Sequence, residues 1–169
     1  MPDGTLQSPR IRALQTKDLP VLRRLVAEMQ DFERAIVPRL PPGAEVADAY
    51  TDAMRARCEA YDGTILVAEV DGTVVGFVGI AANVPNDELD EPQGSYALVT
   101  DLAVTAVYRG QGIGRALLAA AEEHAISVGA DELRIAVLAD NLGAWSLYAS
   151  VGFAPYLDVL RKDLPRRRR

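Results

Sequence analysis

The sequence predicts an α/β (α+β) fold built on one mixed sheet with helices on both faces. Three observations lead there. Leu19, Leu22, Leu25, Val26 and Met29 recur at helical spacing near the start of the chain. Two apolar runs of strand length flank Asp71-Gly72-Thr73, the pattern of a hairpin. Strand and helix patterns then alternate to the end. Apolar residues make up 49% of the 169 positions and charged residues 25%, which suits a folded domain and neither a disordered nor a fibrous chain.

In order, residues 10–14 alternate and predict a first strand. Thr16 or Asp18 is placed to cap the helix that follows. Pro38, Pro41, Pro42 and Gly43 break the chain before a second helix over residues 44–61, which Asp62-Gly63 closes. Residues 65–70 and 74–81 read as the hairpin strands, since Gly72 supplies the positive φ of a tight turn. Residues 83–94 form a polar loop holding Asp87, Glu88, Asp90 and Glu91 without a basic residue. A strand over 95–104, a glycine-rich turn and a helix over 112–128 come next. A strand over 133–138, a helix over 142–151 and a last strand over 153–160 complete the prediction. No repeat or low-complexity linker interrupts the chain, so residues 1–169 read as one domain with a flexible basic tail over 164–169.

Composition excludes several classes of function. No apolar run reaches the ~18 residues of a membrane helix, and the first fifteen residues lack the pattern of a signal peptide. Cytoplasmic residence without a membrane partner is expected. One cysteine, Cys58, and one histidine, His124, leave no disulfide, no thiolate zinc site and no His-rich centre, so no metal is expected. The net charge of −6 hides an asymmetry. Residues 161–169 hold six of the 18 basic side chains and one acid, so the other 160 residues carry 12 basic and 23 acidic groups, a net of −11. Such a body repels phosphate backbones, and nucleic acid is not expected as a partner. The Arg166 to Arg169 run reads as a solvated end.

The most informative stretch is Tyr108-Arg109-Gly110-Gln111-Gly112-Ile113-Gly114-Arg115-Ala116. A strand feeds a turn with glycine at every second position, and a helix begins inside it. Glycine lets the backbone approach an anion closely, while the free N–H groups of the helix start and its dipole attract negative charge. Arg109 and Arg115 add positive charge. A Walker loop is excluded because Gly114-Arg115-Ala116 lacks the lysine and hydroxyl. A dinucleotide fingerprint would put its third glycine at 115, where arginine stands. A coenzyme A diphosphate loop, Arg/Gln-x-x-Gly-x-Gly/Ala, is matched by Arg109 through Gly114.

From these residues the sequence resembles the GNAT superfamily of acyl-CoA N-acyltransferases. Val99 to Val104 and Tyr108-Arg109-Gly110 look like that family's central strand and cofactor loop; Val107 stands near where many members have proline. Asn141-x-x-Ala144-x-x-x-Tyr148-x-x-x-Gly152-Phe153 looks like its second conserved segment. The match is strong over residues 65–155, with a cofactor-binding core at about 95–155, and weak over the first sixty. The resemblance implies a mostly antiparallel sheet whose parallel central strands splay, with acetyl-CoA as co-substrate filling the gap. Leu102, Ala103 and Val104 would line it, one N–H polarising the thioester carbonyl. Arg109, Gly110, Gln111, Gly112, Ile113, Gly114 and Arg115 would hold the diphosphate. Asn141 and Ala144 would flank the pantetheine arm, and Tyr148 would protonate the departing thiolate. A phenol of pKa near 10 carries its proton at pH 7.

Asn141 and Tyr148 are seven residues apart and so share a helical face, with Ala144 and Trp145 between them on the same side. Asp101 is the candidate to assist deprotonation of the amine or to position its ammonium, a surface hydrogen bond being the alternative. Some relatives have a glutamate at the place of Thr100, and Glu69 is a further option. The 87–91 acidic cluster would steer a cationic amine or merely form a solvated loop. The resulting expectation is transfer of an acetyl group to the primary amine of a small molecule or peptide by direct attack. A non-catalytic acyl-CoA-binding domain is the alternative. Dimers are common among related proteins, which leaves a homodimer open.

Overall fold

The computed structural model describes residues 8–165. Its elements run β1 (Arg10–Ala13), a 3-10 turn (Thr16–Asp18), α1 (Leu19–Ile36), α2 (Gly43–Ala60), β2 (Thr64–Val70), β3 (Thr73–Asn86), β4 (Gly94–Val104), a 3-10 turn (Ala106–Tyr108), α3 (Ile113–Val128), β5 (Leu133–Ile135) and α4 (Leu142–Ser150). The strands lie in the order β1-β2-β3-β4-β5. All neighbours pair antiparallel except β4 and β5, which are parallel. The mixed, mostly antiparallel sheet is therefore as expected.

The sheet divides two cores, because successive strand residues point to opposite faces. Val67 and Phe77 turn towards α1 and α2, meeting Leu22, Leu25, Val26, Met54 and Cys58. Ala68, Val78, Ile80, Ala97 and Val99 turn the other way, onto Ile113, Leu117, Leu118 and Ala121 of α3 and Tyr148 of α4. β3 is apolar on both faces, and every residue from Val74 to Ala82 is buried. Pro20 occupies the first turn of α1, where its missing N–H removes no helical bond.

Three predicted elements differ. β3 continues to Asn86, taking the start of the expected loop into the sheet by pairing Val84 with Tyr96 and Asn86 with Gly94. β5 stops at Ile135 rather than 138. Residues 153–160 form no strand: they have no regular structure and pair with nothing in the sheet. Leu157, Val159 and Leu160 are exposed, Leu160 by 94%. A strand forms only where it meets an edge; the outer edge of β5 is free but only three residues long, and residues 153–160 do not pair with it. Arg166 to Arg169, the basic run of the predicted tail, lie outside the described residues. No helix among the described residues is long and apolar enough to cross a membrane.

Arg12 anchors the start of the chain to the sheet. Its guanidinium donates to Asp18 at 2.6 and 3.1 Å and to Glu69 at 2.9 Å, tying β1 to the entry of α1 and to β2. Asp18 also accepts the Gln15 N–H at 2.9 Å. These bonds hold the Asp18 carboxyl below the usual carboxylate range, the Arg12 hydrogen bonds being the largest cause. A depressed folded-state pKa stabilises the fold above the unfolded value, near 4, and that contribution is lost as pH falls through the folded one. Asp18→Asn should thus lower the unfolding free energy by about 2 kcal/mol at neutral pH and by less towards pH 3, as read from urea titrations at both.

Candidate active site

The site begins where β4 and β5 part. Their parallel pairing runs from Ala97–Leu133 to Val99–Ile135 and stops, while β4 continues to Val104 against β3 alone. Beside the break, Gly79 pairs with Asp101 and Ile80 with Val99, so Thr100 is an extra residue on β4. A bulge of this kind bends the strand and re-aims its side chains. Gly79 makes room for it: a Cβ there would lie 2.4 Å from the Thr100 hydroxyl and 3.2 Å from the Met54 sulfur. Beyond the bulge, the β4 edge that faced β5 borders a cavity of about 900 Å³. Burial leaves backbone groups on such an edge in need of partners.

At one end the cavity meets the start of α3. Gly110 and Gly112 have φ of +75° and +81°, and Gly112 is the N-cap. A Cβ at either position would meet nothing within 4 Å. Backbone conformation, not crowding, therefore demands glycine there, and the space above the turn is open. Ala116 N–H is bonded to the Gly112 carbonyl, whereas the amides before it have no intrahelical acceptor. Gly114 has another reason to be small, since a Cβ would press on Leu147 of α4 at 3.0 Å.

Both arginines of the turn are engaged by neighbouring groups. Arg109 donates to the Val104 carbonyl at 2.9 Å and stacks on Phe32 at 4.8 Å. Arg115 donates to the Ser150 carbonyl and hydroxyl at 3.3 and 2.9 Å. Both still line the cavity.

At the other end stand Tyr148, Asp101, Tyr50 and Glu33. Tyr148 is 8% exposed and packs on Phe153 with ring centroids 5.9 Å apart. Burial, reinforced by the charges of Glu33 and Asp101, pushes its phenol up to about 12. It keeps its proton at any physiological pH. Asp101, also 8% exposed, accepts the Tyr50 hydroxyl at 2.6 Å. Burial raises its pKa, and the Tyr50 hydrogen bond opposes that rise. Glu33 is likewise raised, by burial first and by Asp101 second.

Of the residues singled out from sequence, Asp101, Leu102, Ala103, Val104, Arg109, Gly110, Gly112, Ile113, Gly114, Arg115, Asn141, Ala144 and Tyr148 all border this cavity. Gln111 does not, and its amide donates to the Val107 carbonyl at 3.2 Å. Asn141 serves as N-cap of α4, accepting the Ala144 N–H at 3.2 Å, and borders the cavity together with Tyr148 seven residues on. Trp145 lies outside the lining. Glu69 is held by Arg12, away from the site. Glu91 is tied to Arg134, Asn86 and Tyr156 and also falls outside. Cys58 is 3% exposed, does not reach the cavity, and has a thiol raised by burial. Sequence reasoning missed Glu33, Tyr50 and Phe32, which no local motif marks. The 3.6-residue spacing of Met29, Phe32 and Glu33 was the one signal for the two on α1, and Tyr50 on α2 had none.

A family model described as the acetyltransferase (GNAT) family matches residues 27–153. The chain belongs to that family. The thialysine N-epsilon-acetyltransferase of Mus musculus is 26% identical over 148 residues, which cover 87% of this chain and 85% of that protein. A mycothiol acetyltransferase of Jonesia denitrificans is 38% identical over 82 residues, or 48% of this chain and 24% of that protein. The chain thus spans about a quarter of that relative's length. The aminoglycoside N-acetyltransferase AAC(6')-Iy, solved with the bisubstrate analogue CoA-S-monomethyl-acetylneamine, superposes with a TM-score of 0.66 at 17% identity, over 95% of this chain and 100% of that one. At that identity the likeness concerns the fold.

The positive φ at Gly112 carries a direct test. Gly112→Val should cost about 1–2 kcal/mol of stability although the new side chain touches nothing, because a β-branched residue is strained in the left-handed region. Chemical denaturation of the two proteins measures it.

Proposed function

We propose that the chain is an N-acetyltransferase that moves an acetyl group from acetyl-CoA to a primary amine by direct attack, within one domain. The observation that carries this reading is a single cavity joining an open helix start to a protonated buried phenol. The donor set fits the cofactor. Free amides at the start of α3 and positive-φ glycines at 110 and 112 suit a diphosphate, with Ile113, Gly114 and the side chains of Arg109 and Arg115 around it. The unpaired edge of Leu102, Ala103 and Val104 suits a pantetheine arm that hydrogen-bonds as a strand does, with Asn141 and Ala144 opposite. Acetyl-CoA supplies the activated thioester.

The chain's own residues then have distinct tasks. A β4 amide donates to the carbonyl oxygen as charge develops on it, an effect strengthened where water is excluded. Asp101 takes a proton from the acceptor's ammonium, directly or through a water that carries it to solvent, and positions the nitrogen, while Tyr50 fixes that carboxylate by its hydrogen bond. The attacking nitrogen forms the new C–N bond as the C–S bond breaks, and Tyr148 gives its proton to the leaving sulfur. Cys58 has no access to the site, which supports attack without an acetyl-enzyme.

Coenzyme release over a panel of amines, with calorimetry of acetyl-CoA binding, tests the assignment. Binding without turnover of any amine would favour the non-catalytic alternative. Tyr148→Phe should lower kcat about 10²-fold or more, the usual worth of a proton donor, while acetyl-CoA binds as before. The pH profile gives a second check. A base works only when deprotonated, and burial raises the pKa of Asp101, so kcat/KM should climb with pH through a limb above the ordinary carboxylate range. Asp101→Asn should flatten that limb. No falling limb from Tyr148 is expected below about 11.

A further inference from the structure

We infer that the acceptor is an alkyl diamine or polyamine, and that Glu33 on α1 selects it by holding the ammonium that does not react. This inference rests on the acetyl-transfer reading above. Met29, Phe32 and Glu33 fall three and four residues apart on α1, so they share one helical face, and all three border the cavity. Across from them stand Asp101 on β4 and Tyr148 on α4. The wall thus offers an apolar stretch, Met29 and Phe32, beside one carboxylate and facing another.

The charge balance of that end is incomplete. Among the described residues neither Glu33 nor Asp101 forms an ion pair; the ion pairs of the structure lie elsewhere. The basic side chains lining the cavity are Arg109 and Arg115. Arg115 is held by Ser150 at the α3 end; Arg109 reaches Phe32 of the α1 wall, but it donates to the Val104 carbonyl and forms no ion pair with Glu33. Arg57 exerts a favourable field on Asp101 but makes no ion pair with it. Asp101 makes Glu33 harder to ionise, on top of its burial, and burial raises Asp101 itself.

Substrate is the available source of the missing cation. The reacting nitrogen cannot be that source throughout, because it must shed its proton before it attacks. A monoamine has its one nitrogen engaged with Asp101 and the thioester, which leaves Glu33 uncompensated. A second, non-reacting ammonium stays charged and pairs with Glu33 from binding to product, with its methylene spacer against Met29 and Phe32. An acceptor carrying its own carboxylate would set an anion against two acids, so amino acids should be poor substrates. Charge complementarity of this kind works by penalising wrong partners as well as attracting right ones.

The test compares α,ω-diamines of three to six carbons, and spermidine, with n-alkyl monoamines of equal length, using the full chain and a coenzyme-release assay. The best diamine should exceed its matched monoamine by about tenfold or more in kcat/KM, the worth of roughly one partly buried ion pair. Glu33→Gln should collapse that ratio towards one, chiefly through KM for the diamine, with the calorimetric Kd for acetyl-CoA unchanged. Glu33→Asp, which keeps the charge, should restore much of the ratio and guards against a purely structural effect. Equal rates for both amine types, a preference for monoamines or amino acids, or a Glu33→Gln loss shared by both amine types would overturn the assignment of Glu33 while leaving acetyl transfer standing. Failure to bind acetyl-CoA would instead remove the transfer reading, and this one with it.

Discussion

Two parallel strands that pair for three residues and then part create the space on which the rest of the structure depends. Paired β-edges satisfy each other's amides and carbonyls, so a sheet has no reason to open unless something breaks the register. Here the break is local. Thr100 adds a residue to β4, Gly79 leaves room for its hydroxyl, and β5 ends at Ile135. β3 holds the far side of β4 in place through Val104, so the strand stays ordered while its other edge faces the cavity.

Around that opening the fold sets two chemically different ends. The α3 end presents backbone amides and glycine, which suit a diffuse anion and need no side-chain charge. The opposite end presents carboxylates and phenols from α1, α2, β4 and α4. Burial acts on them in one direction, since removing water penalises every anion. Asp101 and Glu33 are raised, and Tyr148 is kept protonated. The same desolvation therefore keeps the Tyr148 phenol protonated and favours a cation beside the acids. Both arginines of the glycine loop are meanwhile braced against Val104, Phe32 and Ser150, so the loop is stiffened from either flank.

Most elements were legible because their signals are short-range. The Leu19 to Met29 spacing, the Asp71-Gly72 turn and the glycine run before Ile113 each concern a few adjacent residues, and the element starts fell within a residue or two of those observed, whereas β3 ran five residues further than expected and β5 stopped three short. The misreadings have a common origin. Residues 153–160 carry a strand's composition, but pairing depends on where the packed chain carries the segment, and it does not meet the free outer edge of β5. Asn141 and Tyr148 both border the cavity, as their spacing suggested, although Asn141 is the cap of the helix. Trp145 followed the same spacing and lies outside the cavity.

By itself, then, the sequence determined the alternation of strands and helices and the glycine turn, along with Asp101 and Tyr148 as residues of interest, because those depend on local periodicity and residue chemistry. Tertiary structure alone decided how deep the gap between β4 and β5 runs, which groups tie down Arg109 and Arg115, and that Glu33 and Tyr50 converge on Asp101 from segments 68 and 51 residues away in the chain. Charges separated by that much chain interact only after packing excludes the water between them, and nothing in a linear pattern reports that exclusion.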